Sequence, residues 1–166
     1  MECTVRWVGA AEVGPQGPGQ TQGPAQGQVD GSAATQAGMS FVAETGSGHA
    51  VLMDGAPDGG GRNMAPRPME MVLLGTGGCT AYDVVLILRK SGQAINACEV
   101  TLKADRADVD PKVFTRIHFH FRVRGHGLKA NLVERAIKLS HDKYCSASVM
   151  MAKTAELTHS WEVVEG

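Results

Sequence analysis

The sequence predicts an α+β fold built around one long central helix. Residues 69–92 form a segment that is apolar on nearly all sides and too long to be a strand. Alternating strand patterns lie before and after it, and two helical patterns precede the last strand. This order of elements contains no regular β-α-β repeat, which favours α+β over a doubly wound sheet.

Composition limits the classes of function. The 166 residues suit a single domain spanning 1–166, and 16 basic residues nearly balance 17 acidic ones. No basic run is long enough to follow a phosphate backbone, so we expect neither nucleic acid nor an anionic membrane as a partner. The sequence also lacks a secretion-signal pattern, and its apolar runs are short or interrupted by charge. We therefore expect a cytoplasmic protein.

The first elements are short strands separated by a flexible insertion. Residues 2–7, "ECTVRW", alternate apolar and polar side chains as a half-buried strand does. Residues 10–38 are dominated by Gly, Gln, Pro and Ala and have too little apolar surface to offset the entropy of ordering. Two apolar runs then flank the turn signal "TGSG", which predicts a hairpin with strands at 39–44 and 49–54.

The long helix has recognisable ends. Pro68 suits the first helical turn, where its missing N–H would have no partner, and Glu70 lies where the helix dipole favours an anion. Arg89, Lys90 and Gly92 are the cations and cap expected at the other end. Because the helix is apolar on nearly all sides, we expect a sheet or a second subunit to cover it.

The remaining elements follow from periodicity. Residues 96–106 and 114–125 alternate as two long strands, each with one wet face. Helical spacing marks residues 128–139, a break follows at "SHDKYC", and a short helix is predicted over 145–154. Residues 155–165 alternate again and should close a sheet.

Two cysteines have a local reason to be reactive. Cys79 follows Gly75, Gly77 and Gly78 inside the long helix. Each helical glycine costs about 1 kcal/mol relative to alanine, so close backbone contact or space above the thiol should offset the cost. Cys145 lies at the start of a short helix, where free N–H groups stabilise a thiolate. The alternative is that both are inert buried thiols.

The four cysteines do not indicate a structural metal site. None of them are spaced as C-x-x-C, and the histidines complete no zinc pattern. A chain of this size with an ordinary apolar fraction also needs no disulfide framework, so free thiols are expected.

The motif "PMEMVLLGTGGCTAYDVV", followed much later by "KYCSASVM", resembles the OsmC/Ohr family of thiol peroxidases, and in particular its YhfA-type branch. "GSGHAVLMDG" ahead of the helix and the alternating strand at the end also match. The resemblance covers about residues 39–166 and the first strand. The two cysteine motifs together are fairly specific, whereas either alone is weak.

This resemblance implies a fold, a reaction and partners. The fold is an intertwined homodimer with a long central helix covered by antiparallel sheets and with active sites at the subunit interface. Cys79 corresponds to the peroxidatic cysteine, which attacks an organic hydroperoxide, and Cys145 to the resolving cysteine, which forms a disulfide with it. A dithiol reductant such as a lipoylated protein resets the enzyme, and no cofactor or metal is needed.

The family also implies a catalytic acid. Typical members carry a Glu directly after the proline, where it orients the reactive thiol. Here Met69 follows Pro68 and the acid is Glu70. Glu70 is therefore either catalytic or a first-turn carboxylate that stabilises the helix dipole.

A second function fits the same residues. The chain could be a non-catalytic OsmC-like dimer that binds an apolar small molecule or senses redox state. Slow or absent turnover, together with a normally alkaline titration of Cys79, would distinguish it from a peroxidase.

Overall fold

The computed structural model describes the backbone of residues 3–7 and the whole of residues 38–166. The predicted insertion at 10–38 therefore lies outside the described residues, apart from Gly38. Nine regular elements are described, and two compact units divide between Met71 and Val72. The elements are β1 Cys3–Trp7, β2 Ser40–Thr45, β3 Ala50–Asp54, α1 Pro68–Lys90, β4 Ala94–Arg106, β5 Phe114–His126, α2 Ala130–Leu139, α3 Ser146–Met151 and β6 Glu156–Glu165.

The first unit contains an antiparallel sheet in the order β1-β2-β3. The hairpin of β2 and β3 confirms the "TGSG" prediction. At its end the buried Asp54 carboxylate accepts backbone N–H bonds from Met64, Gly55 and Arg62 at 2.8–3.0 Å, and a bond from the Ser40 hydroxyl at 3.1 Å. These bonds, with Met64 contributing most, hold the pKa of Asp54 below its usual value. One carboxylate thus orders the loop that leads into α1.

Helix α1 begins at Pro68 and ends at Lys90, as predicted. Gly92 follows with φ of +72°, the left-handed conformation that ends many helices. Its buried residues recur about every four positions, which defines one inward face: Thr76, Gly77, Thr80, Val84 and Leu88. Large apolar side chains on other faces remain exposed, among them Leu74 at 58% and Tyr82 at 69%.

The second unit contains a sheet in the order β4-β5-β6. The predicted alternation is confirmed in β5, where Ile117, Phe119, Phe121 and Val123 are fully buried. The expectation that only antiparallel sheets cover the helix was wrong in one respect, because β6 pairs with β5 in parallel. The long connection through α2 and α3 returns the chain to the starting end of the sheet, and such a crossover permits parallel pairing.

Between α2 and α3 the structure differs from the predicted break. Residues Ser140–Tyr144 form a π-helical turn that continues directly from α2, and Cys145 follows in an extended conformation. A π-helical turn inserts extra backbone into a helix and is frequent at functional sites. Here it places the start of α3, and with it Cys145, opposite helix α1.

Candidate active site

Cys79 lies in the middle of α1 and is half-buried. Gly77, two residues before Cys79, explains how closely the helix packs at this position. A Cβ at Gly77 would lie 2.5 Å from Leu102 Cδ1 of β4, so only glycine permits this close approach without displacing the leucine. By contrast, a Cβ at Gly75 or Gly78 would meet no described atom within 4 Å. The helix is therefore tight against β4 on one side and open on the other.

Cys145 is the N-cap residue of α3 and is fully buried. Its Sγ accepts a hydrogen bond from the backbone N–H of Ser148 at 3.4 Å, and its own N–H donates to the Ser140 carbonyl at 2.9 Å. The predicted position at a helix start is confirmed. The bond from Ser148 orients the sulfur, and the bond to Ser140 ties the Cys145 backbone to the π-helical turn.

The fold brings these two cysteines together. The sulfur atoms of Cys79 and Cys145 and a carboxylate oxygen of Asp83 all lie within 4.8 Å of one another. Both cysteines are free thiols. A disulfide has an S–S length of about 2.05 Å, so the two sulfurs need to approach by less than about 3 Å to form one. We call Cys79, Asp83 and Cys145 the thiol cluster.

A buried hydrogen-bond relay supports the thiol cluster. Thr80 Oγ1 lies 2.8 Å from Ser140 Oγ, which in turn lies 3.3 Å from Asp83 Oδ2. If Thr80 donates to Ser140 and Ser140 donates to Asp83, each hydroxyl proton has an acceptor. Thr80 and Ser140 are fully buried. The relay joins α1 to the π-helical turn and holds Asp83 beside the sulfurs.

The two thiols differ in their environment. Burial raises the pKa of the Cys145 thiol, and the neighbouring Cys79 thiol raises it further, although the Ser148 side chain and N–H oppose them. Cys145 is therefore protonated at neutral pH. Cys79 is the more accessible of the two sulfurs, since its residue is half-buried whereas Cys145 has no exposed surface.

Glu70 contacts the start of its own helix. Its carboxylate is in the first turn of α1 and accepts a hydrogen bond from the Arg67 N–H at 2.9 Å. At about 100° per residue, the helix places Glu70 roughly half a turn out of phase with Cys79. The contact with Arg67 is the one expected of a carboxylate that caps a helix start.

Comparison with known proteins places this architecture. The family model described as "OsmC-like protein" matches residues 59–160, which is more than half of the chain. The chain belongs to the OsmC-like family. Protein YhfA of Escherichia coli strain K12 is 48% identical over 127 residues, which cover 76% of this chain and 92% of YhfA.

Solved structures agree on the fold. One structure from structural genomics is 38% identical, covers both chains completely and has a TM-score of 0.73. An organic hydroperoxide resistance protein, OsmC, from Legionella pneumophila is 18% identical, with 74% of this chain and 89% of that chain covered and a TM-score of 0.56. At this low identity the second match shows the fold alone. Helix α1, although long and apolar enough to span a membrane, is thus the core helix of an OsmC-like fold.

Helix periodicity places Asp83 one turn after Cys79 on the same face of α1, so its proximity to this thiol follows from the sequence. The contact between Thr80 and Ser140 does not, because 60 residues separate them and only the fold brings them together.

A stacked histidine pair also lies in this unit. The His141 ring meets Phe119 edge to face with centroids 4.7 Å apart, and it stacks on His159 at 5.2 Å. Burial, followed by the proximity of His159, lowers the pKa of His141 to about 4. His141 is therefore neutral at neutral pH, and its ring packs as part of the core beside the sheet.

Proposed function

We propose that this OsmC-like protein is a two-cysteine thiol peroxidase that reduces organic hydroperoxides in the cytoplasm. One observation carries the proposal: two free thiols, 66 positions apart in the chain, lie within 4.8 Å of each other, one partly open to solvent and the other buried. This arrangement suits a reactive thiol with a resolving partner, and it offers no advantage to two inert core cysteines.

The proposed reaction balances within the two thiols. The Cys79 thiolate attacks the O–O bond of the hydroperoxide, which releases an alcohol and leaves a sulfenic acid on Cys79. The Cys145 thiol condenses with this sulfenic acid, which forms the disulfide and releases water. A dithiol reductant, such as a lipoylated protein, then exchanges with the disulfide and restores both thiols.

The burial of the two thiols supports this division of roles. Cys145 has no exposed surface and a raised pKa, so it neither meets a hydroperoxide first nor supplies a thiolate readily. Cys79 is the accessible sulfur. A buried, protonated thiol is nevertheless suited to resolution, because it reacts only after its neighbour has been oxidised.

A homodimer is part of the proposal. The face of α1 that is turned away from β4 exposes Tyr82 and Leu86, and it has open space at Gly75 and Gly78. Exposed apolar patches on one element commonly mark an interface, and glycines permit two helices to approach closely. A second copy packed helix to helix would cover this surface and lie next to Cys79.

Glu70 enters the proposal as the acid that orients the thiol. Because it is out of phase with Cys79 in its own chain, it can contribute only if a second copy brings it to the thiol. A Glu70→Gln variant should then have kcat/KM lowered by about tenfold with unchanged unfolding, a loss of about 1.4 kcal/mol. Equal activity in the variant would instead assign Glu70 to the helix start.

The name of the Legionella pneumophila structure supports organic hydroperoxides as the substrate class. The test is consumption of cumene hydroperoxide with dihydrolipoamide as reductant. The wild type should turn over, Cys79→Ser should have no activity above the reductant alone, and the matched Cys98→Ser control should keep full activity. Full activity in Cys79→Ser would overturn the proposal.

A groove favours the second candidate function, binding without turnover. It encloses about 530 Å³ between α1, α2 and the π-helical turn, and Asp83 of the thiol cluster forms part of its wall. Its lining is mainly apolar but includes two cations, Lys90 and Arg135. The other lining residues are Leu86, Ile87, Ser91, Leu132, Leu139 and Tyr144. Saturable binding of an apolar dye that Leu132→Glu abolishes, in a protein without turnover, would favour this function.

A further inference from the structure

The thiol cluster has the composition and spacing of a metal site. Its three ligand atoms, two sulfurs and one carboxylate oxygen, lie within 4.8 Å of one another. In a tetrahedral zinc complex, with Zn–S bonds of about 2.3 Å, neighbouring ligand atoms are roughly 3.5–3.8 Å apart. Closing the cluster around a cation therefore needs movements of about 1 Å.

The ligand types select one class of cation. Thiolates prefer thiophilic metals such as zinc and cadmium, whereas magnesium and calcium require oxygen ligands. Two thiolates and the Asp83 carboxylate also supply three negative charges opposite a divalent cation. Three protein ligands leave a fourth position for water.

The surrounding groups would orient the ligands. Ser140 donates to Asp83 Oδ2, and the Ser148 N–H already donates to Cys145 Sγ. Such outer contacts typically fix a metal ligand in its productive direction.

A separate observation points to negative charge at Cys145. The Ser148 hydroxyl is fully buried and lies beside the Cys145 sulfur, but it meets hydrogen-bond geometry neither with that sulfur nor with any other group among the described residues. An unpaired buried hydroxyl is costly, and a weakly accepting thiol does little to relieve the cost. A thiolate held by a metal ion is a much stronger acceptor, and it would satisfy this hydroxyl.

We propose that the reduced protein binds one thiophilic divalent cation, with zinc as the representative, at Cys79, Asp83 and Cys145, and that this cation and the Cys79–Cys145 disulfide exclude each other. Binding transfers no electrons: the two thiols release their protons to solvent as the two S–Zn bonds form. Exclusion follows because the disulfide consumes the same two sulfurs. Only this second part rests on the proposed peroxidase function.

The test is a titration of the reduced, full-length protein with zinc alone, by calorimetry in buffers of different ionisation enthalpy. We expect one zinc per chain and the release of about two protons. Cobalt in place of zinc should give the absorption bands of tetrahedral thiolate coordination. Cys145→Ser and Asp83→Asn should each weaken binding by at least about tenfold, or about 1.4 kcal/mol. The matched Cys98→Ser control should leave it unchanged.

A labelling experiment keeps the proposal testable if a variant fails to fold. Zinc should slow alkylation of Cys79 by iodoacetamide in the wild type at least about tenfold, and protein oxidised to the disulfide should bind no zinc. Failure of the wild type to bind zinc, unchanged binding in both Cys145→Ser and Asp83→Asn, or zinc binding to the disulfide form would each overturn the proposal. Zinc binding without turnover would refute only the peroxidase, and turnover without zinc binding only the metal site.

Discussion

Replacing Ser140 with alanine removes the hydroxyl that joins the π-helical turn to helix α1. This hydroxyl lies 2.8 Å from Thr80 Oγ1 and 3.3 Å from Asp83 Oδ2. A buried hydroxyl left unpaired costs about 1–3 kcal/mol. Thr80, however, can turn its proton to the carbonyl one helical turn earlier, as Thr76 does toward Val72. We therefore expect Ser140→Ala to lower the free energy of unfolding by about 1–2 kcal/mol.

The assay is urea unfolding followed by circular dichroism at one fixed protein concentration, because the apparent stability of the proposed dimer would depend on concentration. Thr80→Val removes the other end of the same bond. In a double-mutant cycle, Ser140→Ala and Thr80→Val should couple by about 1 kcal/mol, since either change alone breaks the interaction.

Two exposed positions serve as controls for the chemistry of the substitutions. Ser146→Ala and Thr101→Val make the same changes at exposed residues, and each should alter stability by less than about 0.5 kcal/mol. A coupling below about 0.3 kcal/mol would refute the relay. So would a Ser140→Ala effect no larger than that of Ser146→Ala.

The remaining predictions concern His141, Gly78 and Cys145. His141, with its pKa lowered from 6.5 to about 4, stays neutral in the fold while the unfolded chain takes up a proton, so stability present above pH 6.5 is lost as pH falls towards 4. The full pKa shift sets an upper limit of about 3 kcal/mol on this loss of stability, and solvent screening of the half-buried ring lowers it to about 2 kcal/mol. When urea midpoints at pH 7 and pH 4 are compared, His141→Phe should not show this loss. Gly78→Ala would raise helix propensity in an isolated chain. If two helices pack together at Gly78, however, the added methyl group should weaken the proposed dimer at least about tenfold, as measured by sedimentation. A tighter dimer would contradict this packing. Cys145→Ser should let hydroperoxide drive Cys79 to the sulfinic acid, seen by mass spectrometry, and a Cys79 that resists over-oxidation would contradict the resolving role.

Periodicity predicted the elements of this fold well. In β5 the buried residues Phe119 and Phe121 alternate with polar ones, and in α1 the proline, the terminal cations and Gly92 mark the ends. These signals are local, because each depends on the geometry of one strand or one helix. The direction in which β6 pairs with β5 is not local, since it depends on the path of the whole connection through α2 and α3.

The candidate site was predictable only in part. The two cysteine motifs indicated Cys79 and Cys145, and the structure brings their sulfurs together. The hydroxyl relay depends on a π-helical turn at "SHDKY", where the sequence pattern predicts only a break. The two hydroxyls of this relay, on Thr80 and Ser140, are 60 residues apart in the chain, and nothing in the sequence around either residue indicates that they form a hydrogen bond.

The roles of Cys79 and Cys145 can be tested by peptide mapping of the reduced protein after treatment with one equivalent of cumene hydroperoxide, without reductant. We expect the hydroperoxide to be consumed and a Cys79–Cys145 disulfide to form, while Cys98 remains a free thiol. A disulfide that involves Cys98, or unconsumed hydroperoxide with both cysteines still reduced, would contradict it.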